Sequence, residues 1–143
     1  MNKFADRIKA MNAMYKLPMH DTPSLPTHPI VRLSKFKKTL MDEVHEIDEI
    51  ASIHDPVDRI VAIADLLGDV VVYCRSEALK YGIPLEEVLN IIMDSNESKL
   101  GSDGKPIYNT EGKFLKGPDY WKPEPKIKDL ILSLGSVGTG NWE

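Results

Sequence analysis

The sequence predicts an all-α helical bundle that carries a C-terminal β-hairpin and loop. Three features of the 143-residue chain say so. Apolar residues recur at spacings of three and four through most of the chain as far as Leu100, the period of a helix face. Proline-bearing breaks separate those stretches. Beyond Leu100 the composition shifts to Gly, Pro, Asp and Lys, with short apolar PIY and KFL segments on either side of Asn109 to Gly112, the pattern of a small hairpin followed by an irregular loop.

The elements follow in order. Phe4, Ile8, Met11 and Tyr15 mark an amphipathic helix over 2–16 that ends before Pro18. Four prolines between Leu17 and Pro29 predict an extended surface run. A second helix is expected to open near Ser34 and to run to about Ile53, with Phe36, Leu40, Val44, Ile47 and Ile50 on one face. Asp55 followed by Pro56 is a restart signal, the first an N-cap and the second tolerated in the first turn. The third helix then runs to Tyr81, where Gly82 supplies the stop. Pro84 opens a fourth helix, with Leu85, Val88, Leu89, Ile92 and Met93 as its stripe, ending near Ser98 to Leu100. The segment KIKDLILSLG is a short fifth helix, and SVGTGNWE at the C-terminus is expected to fray.

Length suits one domain over 1–143, with 30–100 as its helical core and 101–123 as hairpin and substrate loop. A formal charge of −4 argues against a general nucleic-acid binder, because no positive field gathers phosphate backbone. The lone Cys74 has no intrachain partner, which fits a reducing, cytoplasmic setting. No uninterrupted apolar stretch indicates a signal peptide or a membrane span.

Chemistry is concentrated in two acidic pairs. Glu43 and Glu46 are three apart on the second helix, and Asp65 and Asp69 are four apart on the third, so each pair shares one helix face. The third helix is apolar nearly all round, which predicts burial and a subunit interface, since neighbours within one chain give too little cover. An unpaired buried carboxylate costs several kcal/mol. If the two helices are antiparallel, both pairs stand at one level, and a hard divalent cation with oxygen ligands is the natural partner. Taken alone, a run such as Asp42, Glu43, Glu46, Asp48, Glu49 is usually a solvated face. Asp42 and His45 have the spacing of a di-iron element, but such sites need that element twice and no second copy exists. Asn96 and Lys99, with Lys105, Lys113, Lys116 and Lys122 beyond them, read either as a surface loop or as a flap that meets phosphates.

From about Leu40 to Lys122 the chain resembles the MazG-like, all-α nucleoside triphosphate pyrophosphohydrolases. The two acidic pairs carry the general likeness, and DSNESKLGSDGKPIYNTEGKFLKGPDY resembles a phosphoribosyl-ATP pyrophosphohydrolase-like subgroup. The resemblance implies Mg²⁺, with Mn²⁺ as a substitute, held by Glu43, Glu46, Asp65 and Asp69. It further implies attack by a metal-activated water between the α and β phosphates of a nucleoside triphosphate or phosphoribosyl nucleotide. Glu46 or Glu49 would orient or deprotonate that water, and Asn96, Lys99, Lys116 and Tyr120 would meet the substrate. A homodimer or dimer of dimers is implied as well. One departure is Leu66, which stands where many members carry a glutamate and leaves Asp65 to act one position earlier. A reading from another class keeps the bundle as a non-catalytic nucleotide-binding or assembly module with a structural ion.

Overall fold

The computed structural model describes residues 3–143. Helices dominate: α1 (Lys3–Met14), α2 (Pro29–Ala51), α3 (Pro56–Tyr81), α4 (Leu85–Glu97) and α5 (Pro123–Ser133). The strands are short: β1 (Ser24–Pro26), β2 (Ile107–Tyr108), β3 (Phe114–Leu115) and β4 (Gly138–Gly140). The fold is therefore all-α with a C-terminal hairpin, β2 against β3. The described residues form two compact units, one up to Ile83 together with Val137–Glu143, the other Pro84–Ser136.

In the first unit α1, α2 and α3 pack together. Asp55 caps α3 as expected, its carboxylate accepting from the Asp58 amide at 2.9 Å. At the other end Gly82 adopts φ +67°, and a Cβ there would lie 2.1 Å from the Thr22 carbonyl oxygen. Both the left-handed backbone and the close approach demand glycine. Asn12 is fully buried and locks α1 to α3, donating to the Ser76 carbonyl at 3.2 Å and accepting from the Ser76 hydroxyl at 2.7 Å. Pairing a buried amide in this way avoids its desolvation penalty.

Two expectations need correction here. α2 opens at Pro29, five residues before Ser34, because proline is already pre-set for the first turn. His28 at its N-cap position makes no side-chain cap; instead its backbone N–H donates to a Glu143 carboxylate oxygen at 3.0 Å. The C-terminus, expected to fray, is anchored. β4 runs parallel to β1, pairing Ser24 with Gly138 and Pro26 with Gly140. Trp142 then donates its indole N–H to the Ser24 hydroxyl at 3.2 Å and rests between the rings of His20 and Tyr81.

Along much of its length α3 remains exposed in the single chain. In the single chain Val57, Ile60, Val61 and Leu67 are each about 60% exposed or more. Among the described residues, Ile8 and Ala78 form the buried hydrophobic core, at 4% and 7% exposed.

The second unit joins α4 and α5 through the loop between them. Ser95 is buried and donates to the Trp121 carbonyl at 2.9 Å, while the Trp121 amide donates to the Ser98 hydroxyl at 3.2 Å. The Gly117 amide donates to the Lys99 carbonyl at 2.7 Å, an approach so close that a Cβ on Gly117 would sit 2.1 Å from the Leu100 carbonyl oxygen. α5 begins at Pro123, three residues before the predicted segment, again with proline in the first turn.

Candidate functional site

The contacts between α2 and α3 fix their antiparallel register. Arg32 near the start of α2 meets Glu77 near the end of α3, and Glu43 further along α2 acts electrostatically on Asp69 and Tyr73. On α3, Asp65, Asp69, Tyr73, Glu77 and Tyr81 follow one another at intervals of four residues, which puts them in one stripe. Polar groups of two kinds thus line one groove, acids toward the α2–α3 turn and a mixed cluster toward the other end.

At the acid end Glu43 is 6% exposed, and its Oε2 is buried without a hydrogen-bond partner. A buried carboxylate oxygen left unpaired is costly and calls for a partner. The neighbouring Glu43 charge is the first cause that holds the Glu46 carboxyl above its ordinary range, with burial and the charges of Glu49 and Asp69 adding to it. Burial is the first cause for Asp69, followed by the charges of Asp65 and Glu43. Tyr73 is raised by burial and then by Glu43 and Asp69. Crowded like charges disfavour ionisation in the same direction as desolvation does.

The predicted ligands Glu43, Glu46, Asp65 and Asp69 therefore share one electrostatic environment. Among the described residues no three His, Cys, Asp or Glu side chains close into a ready cage for an ion. Repulsion between carboxylates opposes such a cage unless a cation sits within it. The donor set, hard oxygens with one orphaned and buried, fits Mg²⁺ or Mn²⁺. Glu49 is exposed one turn beyond Glu46, and Asp42 faces away into a loose 3.6 Å contact with Lys38.

Toward the other end a cavity of about 280 Å³ opens among α1, α2 and α3. Met11, Tyr15, Phe36, Val72 and Tyr73 give it apolar and aromatic walls, and Arg32, Ser76, Glu77 and Lys80 add polar groups. Glu77 is bridged on both oxygens, by Arg32 Nε at 2.9 Å and by Lys80 Nζ at 3.1 Å. None of these was singled out from sequence. The signal available was weak: Glu77 lies eight residues beyond Asp69, on the same stripe.

The predicted substrate residues lie in the second unit. Lys116 places its ammonium 4.9 Å from the Tyr120 ring centre and Lys99 at 6.0 Å, so two cations gather on one aromatic ring. Asn96 is exposed near the end of α4. Ser95 and Ser98 of the same segment, absent from the predicted set, hold the loop that carries Tyr120.

No family model and no curated protein matches the chain. Among solved structures it is similar to a protein of Exiguobacterium sp. 255-15 provisionally named an NTP pyrophosphohydrolase. The TM-score is 0.54 at 18% identity, over 92% of this chain and 95% of that one. Agreement of that extent at such low identity is agreement of fold, and the two chains share it almost from end to end.

Proposed function

We propose that the chain is a divalent-cation-dependent nucleotide pyrophosphohydrolase that cleaves between the α and β phosphates, giving a nucleoside monophosphate and pyrophosphate. The observation that carries this reading is the acid end of the α2–α3 groove, where Glu43 keeps an unpartnered buried oxygen beside Glu46 and Asp69. The provisional name of the Exiguobacterium protein and the likeness to MazG-like enzymes point the same way.

Glu43, Glu46, Asp65 and Asp69 would hold Mg²⁺, or Mn²⁺ in its place. That ion supplies charge neutralisation on the phosphates and lowers the pKa of a bound water. The side chains do the rest. Glu46 and Glu49 lie on the exposed side of the acid cluster, suited to orienting a water and taking its proton. Tyr73 stands between the acids and the cavity and separates the two ends of the groove. In the second unit, the likeness to MazG-like enzymes makes Asn96, Lys99, Lys116 and Tyr120 the candidates to meet the substrate's phosphates, since charge neutralisation is the main task in phosphoryl chemistry.

A homodimer, or a dimer of dimers, belongs to the same reading, because the exposed apolar residues of α3 need a covering surface. Light scattering that finds a monomer at micromolar concentration sinks the assembly. No helix among the described residues is long and apolar enough to cross a membrane.

The direct test is a product-resolved assay of nucleoside triphosphates with Mg²⁺ and with EDTA. Monophosphate and pyrophosphate formed only with the metal support the reading. Nucleotide binding without turnover would instead favour the non-catalytic module.

A further inference from the structure

Two groups close on the Glu43 carboxyl, and they differ in what they can do once a cation arrives. Glu46, one turn along α2, hydrogen-bonds Glu43 and bears a charge of the same sign. Tyr73, on α3 one turn beyond Asp69, hydrogen-bonds Glu43 as well. Oε2 of Glu43 is buried and has no partner, so these bonds fall to its other oxygen.

Chemistry separates the two partners. An ionised carboxylate only accepts hydrogen bonds, so the bond between Glu43 and Glu46 exists only while one of the pair holds a proton. A divalent cation takes deprotonated ligands, and its arrival releases protons. The Glu46 bond is therefore lost in the state that binds metal. A phenol carries its own proton at neutral pH and is uncharged, so the Tyr73 bond persists when both carboxylates are ionised.

The fold holds Tyr73 at the right place. Its half-buried ring forms a wall of the cavity beside Phe36 and Val72, and its hydroxyl is within the influence of Glu43, Asp69 and Glu46. The cations further along the groove, Arg32 and Lys80, are engaged by Glu77. A cation on Glu43 would compete with a metal ion for its charge, whereas a neutral donor fixes the carboxylate and leaves that charge in place.

Resting on the metal-dependent reading of the acid end, we infer that Tyr73 is a positioning residue, its hydroxyl fixing one oxygen of Glu43 so that the buried second oxygen stays free for the ion. Hydrogen-bonding partners behind a ligating carboxylate commonly set metal affinity by ten- to a hundredfold, on the order of what is expected here.

The experiment measures Mn²⁺ binding to the full chain by calorimetry and by loss of the free-ion electron paramagnetic resonance signal. Tyr73→Phe keeps the ring and removes the donor, and should weaken binding about tenfold or more. Tyr15→Phe, which takes a hydroxyl from another wall of the same cavity, should bind as wild type does. Thermal melts supply a readout that a merely structural role leaves alone: the gap between wild type and Tyr73→Phe should widen when Mn²⁺ replaces EDTA, whereas lost packing alone lowers both midpoints equally. Binding by Tyr73→Phe within about threefold of wild type overturns the role of Tyr73 and leaves the metal site and the hydrolase reading standing. Failure of wild type to bind Mn²⁺ removes both. Binding that depends on Tyr73, without turnover of any nucleotide, upholds the positioning role and removes the hydrolase reading. Should Tyr73→Phe fail to fold by circular dichroism, Tyr73→Leu, which also lacks the donor, decides by the same binding measurement.

Discussion

The two ends of the α2–α3 pair hold similar numbers of charged groups and treat them in opposite ways. Near Arg32 the charges are mixed: one carboxylate is bridged by two cations at 2.9 and 3.1 Å, and burial is tolerated because the pairing is internal. Near Glu43 the charges share one sign, and desolvation and repulsion together push Asp69 and Glu46 toward their neutral forms. The first end is completed by the chain itself. The second has no counter-charge of its own, and on the proposed reading a divalent cation would supply one.

The largest expected effect separates the ends by stability. Glu77→Ala removes the anion between Arg32 and Lys80 and leaves two nearly buried cations unpaired, so urea unfolding should show a loss of about 3–5 kcal/mol. A loss below about 1 kcal/mol would mean the cluster is well solvated.

Asp69→Asn should act in the reverse sense. Turnover should fall about a hundredfold or more, since a ligand charge contributes several kcal/mol to charge stabilisation at such a site. Stability in EDTA should hold or rise, because one of the repelling charges is gone. Asp48→Asn, on an exposed position of the same helix as Glu43, should leave both quantities within experimental scatter. Equal activity of the two variants would break the comparison.

Next in size is the response to metal. If the acid end binds Mg²⁺ only when folded, a concentration a hundred times the dissociation constant should stabilise the chain by about 2.7 kcal/mol. Thermal melts with Mg²⁺ and with EDTA measure this, and Glu77→Ala should retain the metal response while starting from a lower midpoint. A midpoint indifferent to both additives contradicts the metal site.

The smallest effect is with pH. Asp69 has a folded-state pKa raised above its ordinary 3.8, so the folded state favours the protonated form. Its contribution to stability is therefore full below that ordinary value and is lost as pH rises through the raised one. Without metal, wild type should lose stability relative to Asp69→Asn across that window, and Mg²⁺ should abolish the difference. Glu143, whose carboxyl is held low by backbone hydrogen bonds, acts in the opposite sense and cancels when the two proteins are compared. Melting temperatures of the pair at stepped pH provide the check.

Much of the helical plan is legible because its signals are local. Asp55, Pro56 and Gly82 bound α3 within the chain's own neighbourhood, and period-four spacing is enough to place Asp65 and Asp69 on one stripe. The start of α2 is less legible, since part of its N-terminal hydrogen bonding comes from Glu143, 115 residues away. The C-terminus reads as frayed for the same reason: SVGTGNWE has little of its own to order it, and its partners Ser24, His20 and Tyr81 belong to other elements.

By itself, then, the sequence determined the run of helical elements, the Asp55 and Gly82 caps of α3 and the two acidic pairs, because propensity, capping and periodicity act over a few residues. Tertiary structure decided what those pairs face, that Glu43 keeps an oxygen without a partner, and that Arg32 and Lys80 clasp Glu77 beside a cavity. Desolvation and charge pairing depend on which groups meet through space, and no spacing along a single chain specifies that meeting.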